Sequence, residues 1–360
     1  MLPYYLLLIV TFLFTIFDFV HSRNVRLLVY MPLCMLLVGF VGIRAVGIDN
    51  DGIAYEEAFN LAGSMSWPDL LTGNYPETME RGYLLLNKII NVLGGSINGV
   101  FMLMAFITGV VNYTLIFRKS PLPFFSVLIY VGFFYFYRDF TQIRYALAAG
   151  MGMWALFQFI ERRYVVFFLL VVVATFFHAS VLIVLLPAFV SLFFRNPWFF
   201  LFLPVLGLIG GMFNPIMVLF QLGGLPPVLA NYVMVDEIGQ GGYVISAVAQ
   251  VLLVALLIFR KEMLTYYPKR LLDVFYIALS LSSFINLLFI SFAIMQRLSL
   301  LLFGVTLFLL PYLCHLLERR RSDQYMALSI RGIFMLYVFY YGLKMIGPEL
   351  MQPYVIWLMQ

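Results

Sequence analysis

Tyr137-Arg138-Asp139-Phe140-Thr141-Gln142-Ile143-Arg144 runs directly into Tyr145-Ala146-Leu147-Ala148-Ala149-Gly150. The second part is apolar and small, and the first places two arginines at its mouth. Charge at membrane depth is costly, so an arginine there needs a partner or a task. Phe140–Ile160 reads as a span, and at the helical period Tyr137, Thr141, Arg144 and Ala148 lie on one face, with Arg144 nearly two turns below Tyr137. Ala146/Gly150 and Ala148/Gly152 have the small-xxx-small spacing that lets a second helix approach closely.

Composition fixes the class in which this stretch is read. Of 360 residues, 64% are hydrophobic and 11% are charged, where a soluble domain carries about 25% charged. The chain therefore reads as an all-α, polytopic integral membrane protein, one membrane domain over 1–360. Its net charge of +5 comes from short loops, which points to topology and away from nucleic acid. Cys34 and Cys314 both fall in apolar spans, so a disulfide framework is not expected. The N-terminus lacks a basic leader, so Pro3–Val20 reads as a retained helix.

Apolar runs at 6–20, 27–43, 100–117, 122–137, 140–160, 198–222, 243–259, 271–292, 298–317 and 333–346 read as spans. Tyr164–Phe177 and Ser180–Phe194 read as two short helices meeting near His178. The total is about twelve spans, and with the basic clusters at 23–26, 118–119, 162–163, 195, 260–270 and 319–321 inside, both termini lie outside. Arg81–Leu93 is too short to cross. Leu86, Ile89, Ile90 and Leu93 make one face and Asn87, Lys88 and Asn91 the other, which suits a helix at the interface or against the bundle. It belongs to an outer loop at 44–97, and 223–242, with Pro226-Pro227 and Asp236-Glu237, is a second outer loop.

With the inner clusters set aside, the outward basic residues are Arg44, Arg81, Lys88, Arg138, Arg144, Arg297 and Lys344. Arginine is the preferred fork for phosphate oxygens. Several arginines at headgroup level suit a lipid-linked diphosphate, and they can stabilise a departing diphosphate without a metal. Snorkelling, or pairing of an arginine with Asp139, is the structural alternative. His178, followed by Ser180, has no second His or Cys nearby for a metal; it is a candidate base or donor, or a helix-break cap. Asp49, Asp51, Glu56, Glu57 and Glu80 are candidate sugar contacts or bases, or a solvated acidic loop. Tyr55 and Tyr83 can stack on sugars or join the interfacial aromatic belt. No Walker loop and no Cys/His zinc spacing is present, which disfavours nucleotide-phosphate binding and zinc chemistry.

Four pieces in order resemble the EpsG-type, Wzy-like polysaccharide polymerases of bacterial envelopes. They are Arg44-Ala-Val-Gly47-Ile-Asp49-Asn-Asp51 with Tyr55, Glu80-Arg-Gly82-Tyr83-Leu-Leu-Leu-Asn87, Gln142-Ile-Arg144-Tyr-Ala-Leu-Ala148, and Phe177-His178-Ala-Ser180. Where this sequence has Asn50 after Asp49, the family usually has tyrosine. The resemblance implies a cofactor-free, metal-independent glycosyltransferase in the bacterial inner membrane with its site facing the periplasm. It would move a growing glycan from undecaprenyl diphosphate to the non-reducing end of an undecaprenyl-diphosphate-linked repeat unit. On this reading His178, Asp51, Glu80 and Arg144 do the chemistry. Arg44, Asp49, Tyr55, Arg81, Tyr83, Asn87, Arg138, Gln142, Ser180 and Arg297 bind substrate. The partners are lipid-linked oligosaccharides and the bilayer, with room for a chain-length regulator. An O-antigen ligase and a flippase of lipid-linked sugars are the competing functions; a flippase is disfavoured because no internal repeat is visible and the polar set lies on one side.

Overall fold

A computed structural model describes residues 1–73, 79–193, 196–224, 230, 233, 242–319, 324–347 and 350–359. Most of the second outer loop, including Pro226-Pro227 and Asp236-Glu237, lies outside the described residues, as do Glu77, Arg195, Arg320 and Arg321. The helices are α1 (Leu2–Phe14), α2 (Arg23–Gly42), α3 (Gly52–Ser64), α4 (Trp67–Thr72), α5 (Arg81–Val92), α6 (Ile97–Lys119), α7 (Pro123–Tyr130), α8 (Ile143–Ile160) and α9 (Tyr164–Thr175). There follow α10 (Leu185–Phe193), α11 (Pro197–Gly211), α12 (Pro215–Gln221), α13 (Val244–Ile258), α14 (Arg260–Tyr266), α15 (Lys269–Leu288), α16 (Gln296–Phe303), α17 (Thr306–Glu318) and α18 (Gln324–Met345). Extended pairing among the described residues is confined to two isolated bridges, Arg44 with Ile356 and Asp49 with Met351.

Among the described residues, seven helices are long and apolar enough to cross a bilayer, and counting the bent pairs α11–α12 (46°) and α13–α14 (78°) as spans gives nine. The expected figure of about twelve is higher because three apolar runs form shorter pieces. The run at 122–137 divides into α7 and a π-helical segment, Val131–Thr141. Tyr164–Thr175 and Ala179–Phe193 are short apolar helices, with the break at His178 that the sequence leads one to expect.

The chain divides into two compact units. The first comprises Met1–Gly152, Leu169–Ala179 and Leu317–Gln360; the second comprises Met153–Phe168 and Ser180–Leu316. In the first unit α2 and α6 run antiparallel. The Tyr30 hydroxyl donates to the Tyr113 carbonyl at 3.0 Å, and the Arg23 guanidinium stacks 5.8 Å from the Phe117 ring. At the end where α1 gives way to α2, Asp18 caps α7. Its two oxygens accept the N–H groups of Phe124 (3.0 Å) and Phe125 (2.8 Å). Arg331 of α18 donates to Asp18 at 3.0 Å and to Glu318 at 3.1 Å. A buried carboxylate is tolerated here because two amides and a guanidinium replace its water.

At the other end of α2, the described residues after Arg44 form α3, α4 and α5. Tyr55, Phe59, Ala62, Leu70, Tyr83 and Leu84 of α3–α5 form one core with Phe101 and Met104 of α6 and Ile143 and Leu147 of α8. The orientation of α5 reverses the expected polarity. Tyr83, Leu84, Asn87 and Lys88 are buried, while Ile89, Val92 and Leu93 are exposed. The reason is Lys88, whose ammonium donates to the Gly63 (2.8 Å) and Met65 (2.7 Å) carbonyls and so caps the C-terminal end of α3. Lys88 is thus spent inside the fold and is not an outward cation for substrate. The exposed apolar face suits a helix lying in the interface.

The second unit packs Phe157, Phe275 and Phe308 edge to face. A polar seam joins α13 to α15, where Asn286 donates to the Ser246 hydroxyl at 2.9 Å and Gln250 donates to the Ser283 hydroxyl at 3.3 Å.

Candidate functional site

The motif residues of the first unit gather where the π segment hands over to α8. Gln142 has φ −115° and ψ 57°, which ends one helix, and α8 starts at Ile143. The continuous helix expected over Phe140–Ile160 is therefore broken. Arg144 lies in the first turn of α8 and not two turns below Tyr137. Gln142 itself is buried at this junction. The small-residue spacing has the expected use at Gly150, where a Cβ would sit 2.3 Å from the Asn112 side chain of α6.

Arg144 is ion-paired with Glu80, and both side chains stay partly open, at 19% and 24%. Arg144 Nε finds no hydrogen-bond acceptor among the described residues. The guanidinium lies 5.8 Å from the ring centres of both Tyr55 and Tyr83. These rings meet each other at 5.5 Å, so the arginine rests on an aromatic corner. The Tyr55 hydroxyl donates to the Thr141 carbonyl at 3.1 Å, which ties α3 to the start of α8. Burial pushes the Tyr55 hydroxyl up to about 12, with Arg144 pulling it back. Burial pushes Tyr83 up as well, and Tyr55 adds to it. Both phenols are neutral at working pH.

Glu80 is held by the way α5 begins. The Gly82 N–H donates to the Phe176 carbonyl at 2.9 Å, and a Cβ on Gly82 would come 2.7 Å from that oxygen. Glycine is needed for this approach, and it fixes the start of α5 against the end of α9. Two residues beyond Phe176 is His178, half-buried, whose ring meets Tyr145 at 5.3 Å, nearly perpendicular. Arg138 also neighbours Tyr145, 5.0 Å from its ring and 4.2 Å from that of Phe134. Arg138 is buried. Asp139 accepts from the Tyr130 hydroxyl at 2.7 Å, which accepts in turn from Asn112 at 2.8 Å. Sequence spacing singled out neither Tyr130 nor Tyr145; an aromatic in an apolar helix carries no mark of its neighbours.

Arg44 departs from its expected role as a diphosphate ligand. It is fully buried. Nε donates to Asp49 at 2.9 Å, Nη1 to the Val41 carbonyl at 3.0 Å and Nη2 to the Phe140 carbonyl at 2.8 Å. Its face packs 4.1 Å from the Phe101 ring. Asp49 is buried with it and accepts the Asp51 N–H at 3.1 Å. The C-terminal tail closes over this knot: the Ala45 N–H donates to Val355 at 3.0 Å, and the Gln352 N–H to Ile48 at 2.8 Å. The pair thus positions the loop, and its charges are not offered to a ligand.

Asp51 is half-buried just before α3. Asn87 is buried and donates to the Tyr83 carbonyl at 2.8 Å. Arg81 is exposed, with its guanidinium against Gly73. Ser180 and Arg297 belong to the second unit, Ser180 in the turn leading to α10 and Arg297 at the start of α16. Among the described residues no group of three His, Cys, Asp or Glu side chains converges as a metal site. A partly open arginine seated on two tyrosines and paired with a carboxylate suits an oxyanion leaving group, and the His178 imidazole against Tyr145 suits a proton acceptor.

The model of the EpsG family matches residues 27–355, nearly the whole chain. No curated protein and no solved structure matches.

Proposed function

The chain belongs to the EpsG family, and from that premise we propose a membrane glycosyltransferase that lengthens a polysaccharide on a lipid carrier. The donor is a glycan on undecaprenyl diphosphate, and the acceptor is the non-reducing end of a second lipid-linked repeat unit. The observation that supports this most is Arg144. Its guanidinium is paired with Glu80, seated on two tyrosines and still open to a ligand.

In the proposed reaction an acceptor hydroxyl attacks the anomeric carbon of the donor sugar. The bond from that carbon to the diphosphate oxygen breaks, and its electron pair leaves with undecaprenyl diphosphate. Arg144 contacts the departing diphosphate, and buried Arg138 adds fixed positive charge behind it. His178 takes the hydroxyl proton. Glu80 is paired with Arg144, and its task is to aim that guanidinium. Asp51 orients acceptor hydroxyls. The site faces the periplasm of the inner membrane, since the opposite end carries the basic residues Arg23, Arg26, Arg118 and Lys119.

The test is reconstitution. Purified protein is mixed with one undecaprenyl-diphosphate repeat unit, with no nucleotide sugar and with metal chelated, and the products are separated by size. A ladder of lengthening glycans supports the proposal. Unchanged substrate, together with passage of the lipid-linked sugar across a liposome bilayer, would favour transport instead.

A further inference from the structure

The antiparallel pair α2 and α6 leaves a groove of about 670 Å³ along its outer side, within the size range of small-molecule sites. It runs from Arg23 to Gly39, roughly 24 Å at the rise of an α-helix. Exposed Met31 and Met35 of α2 face Phe106 and Val110 of α6 across it. Methionines adapt to an irregular flexible chain. The polar end is one-signed: Arg23, Asn24 and Arg118 line it, and no carboxylate does among the described residues. Both arginines are exposed, and Arg23 is steadied over the Phe117 ring. This end lies at the opposite end of α2 from Arg44, and so away from the candidate active site.

We infer that this groove binds a phospholipid with an anionic headgroup, its phosphate held between Arg23 and Arg118 and one acyl chain laid along α2 toward Gly39. Two guanidinium groups at the end of the membrane-length helices α2 and α6 complement a phosphate that carries no compensating cation. A zwitterionic lipid brings its own ammonium into a site already positive. Gly39 lines the far end of the groove, and a Cβ there would meet no atom within 4 Å.

Full-length protein is equilibrated in micelles holding equal phosphatidylglycerol and phosphatidylcholine of identical acyl chains, and retained lipid is read by native mass spectrometry. Phosphatidylglycerol is expected to be retained about tenfold or more over phosphatidylcholine. Arg23→Gln with Arg118→Gln is expected to bring the two to parity. Gly39→Phe, which adds bulk without meeting protein atoms, is expected to lower retention of both, and Gly39→Leu serves should the larger side chain impair folding. Equal retention by the unaltered protein would overturn the inference. So would an anionic preference that survives loss of both arginines, or retention unchanged when the groove is filled at Gly39.

Discussion

Arg144 in the first turn of α8 is ion-paired with Glu80, the residue immediately before α5. The first turn of a helix favours anions and disfavours a cation by about 0.3–1 kcal/mol. Glu80 offsets that cost from another element, so the pair joins the outer helices to the membrane helix at the point where Arg144 is presented. A position that breaks a local preference and is compensated from elsewhere is where function is to be sought.

From this pair, Arg144→Lys is expected to abolish polymerisation while leaving membrane insertion intact, because an ammonium lacks the planar fork. Glu80→Gln is expected to lower turnover about tenfold or more, the arginine being retained but no longer aimed. Rates on a single lipid-linked repeat unit, with the amount of inserted protein measured in parallel, check both. Full activity of Arg144→Lys would contradict a role at the diphosphate.

Arg44 should behave differently from Arg144. Arg44→Gln leaves Asp49 buried without its cation, and breaking such a pair costs about 3–5 kcal/mol. A lower midpoint in thermal unfolding of the purified protein is expected, with release of the tail at Ala45–Val355. A variant of full stability with a raised KM for the lipid diphosphate would instead make Arg44 a ligand.

Gly82→Ala drives a Cβ toward the Phe176 carbonyl. Overpacking of this kind costs about 1–3 kcal/mol, and relief requires the start of α5 to move, with Glu80 on it. Activity is expected to fall more than stability, and a paired assay and melt separate the two. Equal and small losses in both would mean that the seating of α5 does not set the site.

His178 as proton acceptor sets a pH dependence. Its ring must be neutral to accept, so kcat/KM falls toward acid pH as the imidazole becomes protonated. In His178→Gln the residual rate is expected to lose that acid limb. A limb of the same shape in the variant would assign the proton to another group, with Asp51 next in line.

The sequence carried the members of this site more clearly than their arrangement. Glu80, Gly82, Tyr83, Arg144 and His178 stand in short ordered motifs, and the fold places the first four and the Phe176–His178 turn around the start of α8. The sequence puts the break between these spans at Arg138-Asp139, whereas the π-helical segment continues through Thr141 and moves the break to Gln142. Lys88 looked like an outward charge because nothing in its own helix reports the carbonyls of Gly63 and Met65. The tail over Arg44 and the Asp18–Arg331 pair join residues more than 300 positions apart, a range at which periodicity is silent. The span count exceeded what helix length allows, since hydropathy marks apolar runs but not the bends and short helices within them.

The central claim is that Arg144 holds a diphosphate, and binding tests it more directly than turnover. Full-length protein in nanodiscs is titrated with undecaprenyl diphosphate and, separately, with undecaprenyl monophosphate, for the unaltered chain and for Arg144→Lys. The account predicts that the diphosphate binds more tightly and loses about tenfold or more in affinity on substitution, while the monophosphate changes little. Equal binding of the two lipids, or diphosphate affinity untouched in Arg144→Lys, would contradict it.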